Sequence, residues 1–113
     1  MKSKIIALSK NEEFKNLLQQ KKISNKYATI FFGILKSKNK DKLNISFVAK
    51  RKIGNAVKRN KIKRRLRNII NDATKKISIK IDYSYLVIAK PTMLNNDYTN
   101  IKETLFQSLE KIK

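Results

Sequence analysis

Cysteine and histidine are absent from all 113 residues. Without cysteine there is no disulfide and no thiolate metal site. Without histidine there is no Ser-His-Asp catalysis, no imidazole proton shuttle and no His-bound zinc. Glycine occurs twice and proline once, too few for a long flexible linker or a collagen-like segment. No apolar run approaches the roughly 20 residues needed to span a bilayer. The start Met1-Lys2-Ser3-Lys4-Ile5-Ile6-Ala7-Leu8 is basic, but its apolar stretch is too short for a signal peptide. The chain therefore reads as cytoplasmic.

Acid is scarce as well. Eight Asp and Glu stand against 28 Lys and Arg, a formal net charge of +20. The eight are scattered: Glu12, Glu13, Asp41, Asp72, Asp82, Asp97, Glu103 and Glu110. No pair has the setting of a catalytic dyad or of a two-metal nuclease. No catalytic residue and no metal ligand is assigned to the protein, and no cofactor is expected on the protein alone. Any hydrolytic chemistry must then sit elsewhere, for instance on an RNA.

The charge points to a partner. A domain this small cannot hide +20, and self-repulsion works against its compact state. An anionic polymer relieves that repulsion and releases its own counterions on binding. An anionic membrane is the weaker alternative, because no long amphipathic helix with aromatic anchors stands out. The length fits one domain over residues 1–113, with a small core.

Periodicity supplies the elements. Ser9 and Glu12 have capping-box spacing, and Phe14, Leu17 and Leu18 continue a helix from Ser9 to Lys21. Tyr27 to Leu35, aromatic and β-branched, reads as a strand. Polar Ser37 to Lys42 suits a hairpin loop, and Leu43 to Ala49 alternates as a second strand. Asn55 is an N-cap candidate for a long helix from Ala56 to about Lys76, whose stripe Ile62, Leu66, Ile69, Ile70, Ala73 and Ile77 faces a core. Tyr83 to Ala89 suits a central strand. Asp97 or Asn96 can cap a last helix carrying Tyr98, Ile101, Leu105, Leu109 and Ile112. The result is an α+β layer of helices on one sheet.

The long helix carries the partner signal. Ten of the eighteen residues from Lys50 to Arg67 are Lys or Arg, with no acid between Asp41 and Asp72. On a helical wheel Asn60, Lys63, Arg64 and Arg67 share one arc beside the apolar stripe. Lys58, Lys61 and Arg65 lie on the other flank. Arg59 falls at the edge of the stripe, as if emerging at a groove. Like charges at i,i+4 repel on a bare helix, a cost that phosphates between them remove. Arg brings a flat bidentate fork and Lys a mobile point charge. Beside this run, Phe14, Leu18 and Phe31 or Phe32 can line an apolar cleft on which single-stranded bases stack, although ordinary core packing explains each of them singly just as well.

Ile53-Gly54-Asn55-Ala56-Val57-Lys58-Arg59-Asn60-Lys61-Ile62-Lys63-Arg64, with Arg67 three residues on, closely resembles the signature of the bacterial ribonuclease P protein family. The likeness extends to Asn11-Glu12-Glu13-Phe14, Asn25 to Phe31, Val48-Ala49-Lys50-Arg51 and Asp82 to Pro91, nearly the whole chain in order. It implies an α-β-β-β-α-β-α order like ribosomal protein S5 domain 2, with a left-handed βαβ crossover. It implies a subunit of the ribonucleoprotein endonuclease that removes the 5′ leader of precursor tRNA. In that family the catalytic RNA and its Mg2+ perform the hydrolysis. Carried over by position, Arg59, Asn60, Lys61, Lys63, Arg64 and Arg67 contact the catalytic RNA. Phe14, Leu18 and Phe31 or Phe32 line the leader cleft, and Lys50, Arg51 or Lys52, together with Lys90, hold leader phosphates. The implied partners are the catalytic RNA and precursor tRNA, with no DNA and no membrane. Leu18 departs from a usual aromatic, Phe31 or Phe32 from a usual Tyr, and Lys61 from the commoner Arg. The rival readings are a ribosomal RNA-binding protein and a DNA-binding helix protein. No helix in turn geometry precedes Ala56, which counts against the second rival.

Overall fold

A computed structural model describes residues 5–6, 11–34, 42–79 and 82–112. The elements in chain order are β1 (Ile5–Ile6), α1 (Asn11–Leu18), β2 (Lys21–Ser24), β3 (Ala28–Gly33), β4 (Leu43–Val48), α2 (Ala56–Lys76), β5 (Ser84–Ala89) and α3 (Tyr98–Glu110). One-turn 3-10 helices at Arg51–Ile53 and Pro91–Leu94 follow β4 and β5. Past the two-residue β1, the order is the α-β-β-β-α-β-α that the family resemblance implies; periodicity alone gives two strands, not three, before the long helix.

The strands form one sheet in the order β1-β4-β5-β3-β2. β5 runs parallel to β4 and antiparallel to β3. This corrects the hairpin expected between the strands at 27–35 and 43–49. Those strands are not neighbours, because β5 inserts between them. Of the expected loop, residues 37–41 lie outside the described residues, as does Ser9 of the expected capping box. β2 is an edge strand that periodicity does not assign; only its first residue, Lys21, falls within the expected first helix. It pairs with β3 through Lys22 opposite Phe31 and Ser24 opposite Thr29.

α2 spans the residues expected for it. Asn55 caps it, its Oδ1 accepting from the Lys58 amide at 3.0 Å. Asp97 precedes α3 and its carbonyl accepts from the Ile101 amide, but its side chain makes no cap bond. The Asn96 amide donates instead to the Thr92 carbonyl at 2.6 Å.

Strand alternation then sorts side chains onto two faces. One face carries Ile30, Phe32, Ile45, Tyr85 and Val87 into the main core. There α2 adds Ile62, Leu66, Ile69, Ile70 and Ala73, and α3 adds Ile101, Leu105 and Leu109. The opposite face carries Phe31, Leu86, Ile88 and Val48 and is covered only in part, by Leu17 and Phe14 of α1. Asn44, Ser46, Ser84 and Leu86 of this face are buried, so it is open only around Phe14, Phe31, Val48 and Ile88.

Candidate nucleic-acid interface

The open face has an apolar floor with polar and basic edges. Leu17 and Leu86 are sealed beneath α1, while Phe14, Phe31, Val48 and Ile88 around them stay half-buried. This decides between the two neighbouring phenylalanines. Phe31 is on the open face. Phe32 is only 8% exposed in the main core, its ring 5.5 Å from that of Tyr83. Leu18 takes no part in the floor and is 47% exposed on the outer side of α1.

The basic edge comes from strand ends. Val48 and Ile88 pair across the parallel strands β4 and β5. Lys50 and Lys90 each follow two residues later on extended backbone, so the alternation continues to both. The Lys90 ammonium donates to Ser24 Oγ at 2.8 Å and to the Asn25 carbonyl at 2.6 Å. Two of its three donors are thus spent on the β2–β3 turn, leaving one for a ligand. That turn is fixed by Asn25 Oδ1, which accepts from the Tyr27 and Ala28 amides. Arg51 and Lys52 leave the alternation in their 3-10 turn and stand exposed, pinned by buried Ile53.

Lys22 is the residue that sequence reasoning missed. Its ammonium lies 5.9 Å from the centre of the Phe31 ring, near the limit for a cation–π contact. Its strand has a single partly buried residue, Ile23, so the sequence offers little alternation to mark it.

α2 presents its charges as the wheel required. Lys58, Asn60, Lys61, Lys63, Arg64 and Arg67 are exposed, whereas Arg59 and Arg65 are half-buried. Arg59 Nε is buried with no hydrogen-bond partner among the described residues. The first turn of α2 holds no acid. The positive end of the helix dipole and the cations beside it therefore both favour an anion. Among the described residues no three acidic side chains come together as a metal site, and no helix is long and apolar enough to cross a membrane.

Residues 3–113 match the family model for ribonuclease P. The chain belongs to the ribonuclease P protein family. Two relatives of that family, both named ribonuclease P protein component, show the extent of the likeness. The protein from Carboxydothermus hydrogenoformans is 31% identical over 94% of this chain and 90% of its own length. The one from Mycoplasma mycoides is 28% identical over the full length of both. The fold of the family is seen directly in the RNase P protein of Thermotoga maritima, which superposes with a TM-score of 0.80 over 96% of this chain and 98% of that one at 24% identity. The Staphylococcus aureus RNase P protein superposes with a TM-score of 0.78 at 23% identity, covering 95% and 94% of the two chains.

Proposed function

We propose that this chain is the protein subunit of a ribonuclease P, the ribonucleoprotein that removes the 5′ leader of precursor tRNA. The observation that carries the reading is the adjacency of two surfaces. The exposed cations of α2 form one, and the half-open aromatic face of the sheet forms the other. Lys50 links them in the chain: it follows β4, and the turn Arg51–Ile53 leads from it into α2. Family membership supplies the reaction class.

In this reading Arg59, Asn60, Lys61, Lys63, Arg64 and Arg67 bind the catalytic RNA, mostly through phosphates. Asn60 adds an amide that donates to phosphate or base and accepts from a hydrated ion. The leader crosses the open face. Its bases stack on Phe31 and Phe14 at about 1–3 kcal/mol each, and Lys22, Lys50 and Lys90 neutralise its phosphates. Leu18, on the outer side of α1, widens the apolar rim and does not stack. The scattered carboxylates offer no donor set for magnesium, so the metal that serves hydrolysis is held by the RNA. The protein orients the leader and lowers the magnesium that the RNA needs.

Reconstitution with the cognate RNA, assayed on a precursor tRNA at limiting magnesium, tests the reading. The expected result is cleavage that requires the RNA and rises steeply when the protein is added. Strong magnesium-dependent cleavage by the purified protein without RNA overturns it, as does an RNA whose activity the protein leaves unchanged.

A further inference from the structure

The basic surface of α2 has a second side, of which the subunit reading uses only Lys61 and gives Lys58 and Arg65 no role. At 100° per residue, the arc of Asn60, Lys63, Arg64 and Arg67 and the arc of Lys58, Lys61 and Arg65 are centred about 140° apart. The first arc is exposed along one flank of the helix. The second runs into a groove of about 190 Å³ between α2 and the turn Pro91–Leu94, lined by Lys58, Lys61, Ile62, Arg65, Leu94 and Asn95.

We propose that this groove is a slot for one nucleotide of an RNA segment distinct from the one held on the first arc. The inference rests on the subunit reading and adds a second RNA contact to it. The lining has the parts a nucleotide requires. Leu94, half-buried, gives the base an apolar wall beside buried Ile62. Asn95, exposed, both donates and accepts, which suits a base edge or a 2′-hydroxyl. Three cations surround these groups and no acid is in the lining. Asp72, two helical turns beyond Arg65, is taken by Lys102 at 2.7 Å. The volume, about 190 Å³, is below the roughly 300–1,000 Å³ of pockets for whole small ligands, a size that suits one unit of a longer chain.

The cations are also held in place. Arg65 is half-buried against the turn, unlike Arg64 and Arg67. The Lys58 stem lies over Gly54, so close that a Cβ on Gly54 would sit 2.9 Å from Lys58 Cδ. Glycine at 54 leaves room for that stem to bend toward the slot. A single strand following the first arc cannot also reach the second without wrapping a helix about 10–12 Å across. The two arcs therefore engage two segments, with α2 between them.

The chain has no cysteine, so an Asn95→Cys variant carries one attachment point for an aryl azide. It is assembled with the cognate catalytic RNA and precursor tRNA and then irradiated. The expected product is a crosslink to one nucleotide, absent from a Gln107→Cys control on the outer side of α3. Adding Lys58→Gln and Arg65→Gln abolishes the crosslink. These two changes also reduce the slope of log affinity against log salt by about 0.7–0.9 for each phosphate they leave unneutralised. Lys111→Gln, on the exposed C-terminal end, leaves the slope unchanged. Melting curves confirm that each variant is folded, and the crosslink in the otherwise native chain does not depend on the charge variants. No crosslink from position 95, or one indifferent to Lys58 and Arg65, overturns the slot. Cleavage by the unsubstituted holoenzyme is measured first. If it fails, the subunit reading falls and the slot with it; if it succeeds and position 95 reaches no RNA, only the slot falls.

Discussion

Arg59 Nε is buried without a partner among the described residues of the free protein, and an unsatisfied buried donor costs about 1–3 kcal/mol. Arg59→Met keeps the length of the stem and removes that donor. The expected outcome is a free protein more stable by about 1 kcal/mol, together with weaker binding of the catalytic RNA. Denaturant midpoints and RNA titrations check both halves, and a destabilised variant would show that the guanidinium has a structural partner. Gly54 makes the opposite case. Its φ of 155° and its closeness to Lys58 make Gly54→Ala a strained substitution costing about 1–3 kcal/mol, read as a lowered denaturant midpoint. At this scale the sequence was legible wherever a helical wheel decides. It placed Arg59 at the edge of the apolar stripe, where the structure half-buries it, and split the α2 cations into two arcs. It could not choose between Phe31 and Phe32. Adjacent strand residues point to opposite faces, and a one-residue slip exchanges them. Only the pairing of Lys22 with Phe31 and of Leu86 with Phe31 fixes the register. Leu18 was unreadable for a related reason, since a helix of eight residues gives too few turns to say where its apolar stripe ends.

Among the elements, α2 was legible to the residue because cap, stripe and length agree. Asn55→Ala removes the side-chain acceptor from the Lys58 amide and is expected to cost about 1 kcal/mol, with a larger effect on thermal midpoint than any exposed Lys→Ala change on the same helix. The joint between α2 and α3 is the Asp72–Lys102 pair, at 2.7 Å with both side chains part-exposed. The hydrogen bond from Lys102 holds the Asp72 carboxyl below its ordinary range. A carboxyl depressed in the folded state stabilises above its unfolded pKa, near 3.8. That contribution fades as pH falls through the folded value. Asp72→Asn should therefore be less stable than the parent near pH 7 and approach it as pH falls through the folded value, a difference that melting curves across that range measure and high salt shrinks. Strand pairing was the illegible part. Alternation says which residues share a face, not which strands are neighbours. β5 comes after a 21-residue helix and enters between β3 and β4, so the hairpin that their closeness in sequence suggests never forms. β2 escaped notice because three of its four residues are exposed, which leaves an edge strand little apolar pattern to show.

For the whole molecule, the +20 charge sets two salt dependences of opposite sign. In the free protein the cations repel, so added salt screens them and raises the melting temperature. In the complex the same cations have displaced counterions from RNA, so added salt weakens association. If the five α2 cations assigned to the catalytic RNA, Arg59, Lys61, Lys63, Arg64 and Arg67, each neutralise one phosphate, the slope of log affinity against log salt is about −3.5 to −4.5. Binding to the folded state alone then adds stability by mass action, about 2.7 kcal/mol at RNA a hundredfold above Kd. The expected observation is a crossing of two curves. At low salt, catalytic RNA raises the melting temperature well above that of the free protein. As salt increases, the free protein's midpoint climbs while the RNA-bound midpoint falls toward it. An unfolding series in sodium chloride, with and without RNA, measures both. Midpoints of the free protein that fall with salt would mean that the cations are already balanced within the fold, and that the acid-free stretch between Asp41 and Asp72 is not waiting for phosphate. A neutral polymer of similar length in place of RNA should leave the free curve unmoved, which separates charge neutralisation from crowding.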